Sequence, residues 1–86
     1  MPISSLIVRT AEDRTEAISA ELATHPAIEV SHVTTGSIAI VTETPDDDVD
    51  KHLWKQIEAI HGVNFVELIY HNFEDLEGAE HENKQT

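Results

Sequence analysis

Apolar residues in this chain fall into four short runs with the two-residue period of strands and two longer stretches with helical spacing. Residues 3–9, Ile3-Ser4-Ser5-Leu6-Ile7-Val8-Arg9, are rich in β-branched side chains and predict a strand. Thr10 suits a helix N-cap, with Asp13 as a capping-box acid and Glu12 adding favourable charge at the helix start. Ile18 and Leu22 continue a stripe begun by Ala11 and Arg14, and His25-Pro26 stops it just after Thr24. A second strand places Ile28, Val30 and His32 on one face and Glu29, Ser31 and Val33 on the other. Thr34-Thr35-Gly36 then predicts a tight turn into a third strand over residues 37–43, which makes a hairpin. Thr44-Pro45-Asp46-Asp47-Asp48 is a helix start, with Thr44 as cap, Pro45 at the first helical position and three acids at the positive end of the dipole. Val49, Leu53, Ile57 and Ile60 form the stripe of this second helix, Trp54 flanks it, and Gly62 ends it. The last strand, residues 63–73, places Val66, Leu68 and Tyr70 on one face and Phe65, Glu67, Ile69 and His71 on the other.

The predicted order is β-α-β-β-α-β, a split βαβ or ferredoxin-like α+β domain. Right-handed crossovers put both helices on one face of a four-stranded antiparallel sheet, with the first and third strands in the middle. Those two strands are apolar on both faces. Leu6, Val8, Ile38 and Ile40 point into a core with Ile18, Leu22, Ile28, Val30, Leu53, Ile57, Val66, Leu68 and Tyr70. Ser5, Ile7, Arg9, Ala39, Val41, Glu43, Glu67, Ile69 and His71 are left on the opposite face, which neither helix covers. An uncovered apolar face marks a partner site. The competing use of that face is a homodimer seam in which two sheets bury each other.

Composition narrows the partner. Eighty-six residues make one domain, and the absence of cysteine removes disulfides and thiolate metal sites. The Met-Pro start lacks the features of a secretory signal, and no apolar run approaches a membrane span, so a cytoplasmic home is expected. A net charge of −12 disfavours nucleic acid and anionic lipid and suits a basic partner or simple solubility. Residues 74–86, EDLEGAEHENKQT, hold one large apolar side chain among five acids and predict a mobile tail beyond a domain at 1–73.

Catalytic chemistry finds no support. The six histidines (His25, His32, His52, His61, His71 and His81) form no i,i+4 pair and no zinc-binding motif, so no metal is expected. The acid run at Asp46–Asp50 lacks the mid-loop glycine of a calcium site and is better explained as a helix start. Ser4-Ser5 has no base at nucleophile-elbow spacing, and three glycines build no phosphate loop. The open face lacks the aromatic, basic character of an RNA-binding sheet.

Four stretches together resemble the NapD family: Ser4-Ser5-Leu6-Ile7-Val8; Gly36 followed by Ile38-Ala39-Ile40-Val41-Thr42-Glu43; Ile60-His61-Gly62-Val63; and Val66-Glu67-Leu68-Ile69-Tyr70-His71. An acidic tail after Tyr70-His71 is also similar to the family. The resemblance implies a ferredoxin-like cytoplasmic chaperone, not an enzyme, that binds no cofactor itself. It also implies a ligand: the twin-arginine signal peptide of the periplasmic nitrate reductase catalytic subunit. Such chaperones hold the peptide back from export while the molybdenum cofactor and iron–sulfur cluster are inserted, and they engage it, in helical form, through the sheet. On this reading Ser5, Ile7, Arg9, Ala39, Val41, Glu43, Glu67, Ile69 and His71 form the peptide site, with Ile7, Val41 and Ile69 as platform and Glu43 and Glu67 as acids. Arg9 is discordant, because a cation there repels an arginine pair; the pair then belongs nearer Glu43 or Glu67, or Arg9 caps the carbonyl end of the peptide. Two alternatives from other classes are a small-molecule sensor, which a glycine-rich loop absent from this sequence would favour, and a plain dimerisation module of the same fold.

Overall fold

In a computed structural model that describes residues 2–73, the predicted order of elements is present. Strand β1 is Pro2–Thr10, helix α1 Thr15–Ala23, β2 Ile28–Thr34, β3 Ser37–Glu43, α2 Asp47–Glu58 and β4 Val63–Phe73, with one 3-10 turn, Glu12–Arg14, before α1. The sheet is antiparallel throughout in the order β2-β3-β1-β4, with β1 and β3 central. The expected tail at 74–86 lies outside the described residues.

Alternation along the central strands is strict. Ser4, Leu6, Val8 and Thr10 of β1 are buried, and so are Ile38, Ile40 and Thr42 of β3. Ile18 and Leu22 of α1, Leu53 and Ile57 of α2, and Ile28 join them in one core, with Val30, Trp54, Ile60, Val63 and Val66 packed at its margin. Both helices therefore lie on the face that carries Leu6 and Val8, α1 beside β2 and α2 beside β4.

Both helix starts differ from the sequence reading. Thr10 does not cap α1. Its hydroxyl lies 2.7 Å from that of Thr15, which in turn accepts the Gly36 N–H at 2.8 Å, so the two threonines tie the hairpin turn to the start of α1. The chain makes a 3-10 turn first, and no side chain caps either it or α1. At α2 the cap is Asp46, whose carboxylate accepts the Val49 N–H at 2.9 Å, so Pro45 precedes the cap and is not the first helical residue. Thr44 is buried, and its hydroxyl donates inward instead.

The edge strands are irregular, β2 once and β4 twice, and each irregularity reverses the faces beyond it; the second in β4 leaves Asn64 as an extra residue between the Arg9–Phe65 and Thr10–Val63 pairs and turns Val63 to the helix side. In β4, Ser5 pairs with Tyr70 and Leu6 with Leu68, which leaves Ile69 as an extra residue. Tyr70, expected in the core, stands opposite Ser5 on the open side and is 55% exposed. His71, expected on the open side, stands opposite Ser4 on the helix side. Leu68 does share the helix face with Leu6, but it is 50% exposed beside the bulge on this edge strand rather than part of the core. In β2 the extra residue is Ser31, so His32 faces the open side opposite Ala39 and Val33 the helix side opposite Ile38.

Candidate functional site

The face opposite the helices can be laid out from the register, because directly paired residues of neighbouring antiparallel strands project to the same side. One row across the sheet is Glu29, Val41, Ser5 and Tyr70, and the next toward the β2–β3 turn is His32, Ala39, Ile7 and Glu67. Beyond that row lie Thr34, Ser37, Arg9 and Phe65, and at the opposite end Glu43 pairs with Ile3. No described element packs on this side. Ile3, Ile7, Ala39 and Val41 are half-buried by their neighbours alone, whereas Phe65, Ile69 and Tyr70 of the edge strand are more than half exposed.

Of the nine residues expected here, Ser5, Ile7, Arg9, Ala39, Val41, Glu43 and Glu67 share the face, and Ile69 sits at the bulge on its edge. His71 does not belong to it. Ile3, Glu29, Phe65 and Tyr70 do: the sequence pattern put Glu29 and Phe65 on the outward side of their strands without counting them in the site, and put Tyr70 in the core. Period-two alternation from Ile7 and from Val66 was enough to place Ile3 and Phe65. Tyr70 required knowledge of the bulge, which no glycine marks.

Charge on the face is unevenly distributed. The Arg9 guanidinium donates through Nε to Glu67 Oε1 at 3.0 Å, and its Nη2 lies 3.0 Å from the same oxygen. Both side chains are over 40% exposed, so this pair adds little stability. It does cancel both charges locally, which removes the discordance of a bare cation and also takes Glu67 out of the set of available acids. Glu29 and Glu43, by contrast, have no ion-pair partner among the described residues. Together with Pro26, Ala27, Ile28 and Val41 they line a shallow depression of about 120 Å³ at one corner of the face.

A second polar cluster lies on the helix side. Asp50 is fully buried, and its carboxylate accepts hydrogen bonds from Ser4 Oγ at 3.0 Å, Thr42 Oγ1 at 3.3 Å and Thr44 Oγ1 at 3.2 Å. His71 Nδ1 lies 2.7 Å from the same Ser4 hydroxyl, its Nε2 3.5 Å from Asp47, and its ring meets Trp54 edge-on at 6.2 Å. Asp47, Asp50 and His71 thus bring ligand-type atoms within 4.8 Å of one another, a juxtaposition the histidine spacing did not reveal. The Asp50 oxygens are already engaged by three hydroxyls. That arrangement suits a structural clamp that joins the start of α2 to β1, β3 and β4, and a buried carboxylate held by donors of this kind is the form in which such a charge is tolerated.

Fold and face together define a ferredoxin-like α+β domain whose helices cover one side of the sheet and leave the other bare. The NapD protein family model matches residues 1–75, and the chain belongs to the NapD family, a family of chaperones. Among solved structures it is similar to the solution structure of the Tat proofreading chaperone NapD of E. coli, at 28% identity and a TM-score of 0.74, covering 86% of this chain and 80% of that one. A search of curated proteins finds no match. No helix among the described residues is long and apolar enough to cross a membrane.

Proposed function

We propose that this protein is the cytoplasmic chaperone that binds the twin-arginine signal peptide of a periplasmic nitrate reductase catalytic subunit and delays its export until cofactor insertion is complete. Membership of the NapD family supports the chaperone role, and the similar E. coli protein is described as proofreading for the Tat pathway. The observation that carries the reading is the bare face: Ile3, Ile7, Val41 and Tyr70 form an apolar platform with Glu29 and Glu43 at its corner. A twin-arginine signal joins two cations to an apolar stretch, so platform and acids answer its two chemical parts.

Burying one large aliphatic side chain stabilises a complex by roughly 1.5–3 kcal/mol at most. Several such contacts offset the cost of ordering the peptide and leave a moderate affinity, as a ligand that must later be released requires. The net charge of −12 speeds encounter with the basic end of the peptide more than it tightens the complex. Titration of the isotope-labelled chain with a synthetic twin-arginine peptide tests the proposal. Shifts should cluster on Ser5, Ile7, Ala39 and Val41. A peptide that fails to bind, or that shifts only α1 and α2, removes the sheet from the function.

A further inference from the structure

We propose that the open face fixes the direction in which its ligand lies, with the cationic end over the Glu29–Glu43 corner and the apolar segment running across β3 and β1 to Ile69 and Tyr70 on β4. This rests on the signal-peptide reading above and adds an orientation and a cation-receiving corner to it.

Three observations carry the inference. First, the acids of the face are not equivalent. Glu67 is bonded to Arg9, so that end presents a neutralised pair with a guanidinium at its centre, whereas Glu29 and Glu43 border a depression and have no cation partner among the described residues. Second, the apolar surface leads away from that corner in one direction only: Val41 on β3, Ile3 and Ile7 on β1, then Ile69 and Tyr70 on β4. On the other side the described residues offer only the edge strand β2, whose outward residues Glu29, His32 and Thr34 are polar. Third, the width is suitable. Three strand spacings of about 4.8 Å make roughly 14 Å, the length of about nine residues of helix, so the core of a short apolar helix spans the sheet.

A second copy of this chain fits the face less well. Each copy carries −12 and the same acidic corner without an ion-pair partner among the described residues, and Arg9, the one Lys or Arg that the described residues place on the face, is already bonded to Glu67. Association through the sheet would therefore bring like charges together with no unpaired Lys or Arg among the described residues of the face to meet them.

The test uses the full 86-residue chain and two synthetic peptides, one with an arginine pair followed by a leucine–alanine stretch, the other with the pair replaced by glutamines. A nitroxide at the basic terminus should broaden the amide signals of Glu29 and Glu43, and one at the apolar terminus those of Phe65 and Tyr70. The double variant Glu29→Gln/Glu43→Gln should bind the arginine peptide about tenfold more weakly at low salt, as expected for two solvent-accessible ion pairs, and the glutamine peptide unchanged. Glu16→Gln/Glu58→Gln changes net charge equally on the exposed helices and should cost far less. Reversed broadening, or equal losses for both peptides or both double variants, overturns the orientation while leaving the sheet as the binding site. Peptide binding elsewhere, or a dimer that occludes the face, overturns the orientation and the signal-peptide reading together.

Discussion

Replacing Leu6 or Ile7 by Asp places the same charge at consecutive positions of one strand, with opposite expected results. Leu6 is 1% exposed and lies in the core with Val8, Ile38 and Ile40. Leu6→Asp forfeits roughly 1.5–3 kcal/mol of apolar burial. It also buries a carboxylate with no partner, worth at least a further few kcal/mol. The sum reaches about 5 kcal/mol, as much as a small domain has in total, so the variant should be unfolded at room temperature. Ile7 faces the open side between Ala39 and Glu67 and is only half-buried. A carboxylate there stays hydrated, and the loss of a β-branched side chain from a strand costs about 1 kcal/mol, so Ile7→Asp should melt within several degrees of the parent. Its effect should fall on binding: loss of the Ile7 contact and desolvation of the new charge weaken the peptide complex by about a hundredfold. Circular dichroism melts of both variants, with calorimetric titration of Ile7→Asp, measure all of this. A folded Leu6→Asp beside an unfolded Ile7→Asp would invert the faces, and normal binding by Ile7→Asp would remove the peptide from the sheet.

Asp50→Ala strips the acceptor from Ser4, Thr42 and Thr44 and should cost about 3 kcal/mol in denaturant unfolding, lowering the melting temperature by more than about 10 °C; a loss under a third of that would mean the clamp is not structural. Gly62→Ala should destabilise more than Gly36→Ala: both glycines have positive φ, but a Cβ at Gly62 would meet Arg14 Cγ at 2.7 Å whereas one at Gly36 meets nothing nearer than 3.6 Å, so equal losses by thermal melting would contradict the packing. Deleting Ile69 removes one of the two extra residues of β4 while Leu68, Tyr70 and His71 keep their partners on β1, so the shortened chain should fold and melt within several degrees of the parent; an unfolded product would show that the bulge is required for the register.

The amino-acid sequence by itself determined the element order, the strand order, the two helix stripes and the inner and outer faces of β1 and β3. These follow from local periodicity: central strands are packed on both sides, and a slip of one residue would turn Leu6 and Val8 out of the core. The uncovered face was legible for the same reason, since Ile7, Ala39 and Val41 are apolar where two helices cannot reach. Tertiary structure alone decided the faces of the edge strands past Ser31, Asn64 and Ile69. A bulge adds one residue with no sequence mark, and an edge strand tolerates it because only one side of its ladder must stay paired. That single step moved Tyr70 onto the open face and carried His71 to Ser4, Asp47 and Asp50, residues 67, 24 and 21 positions away in the chain. The pairing of Arg9 with Glu67 and the isolation of Glu29 beside Glu43 were likewise beyond the sequence, because charges on different strands meet only once the register is set.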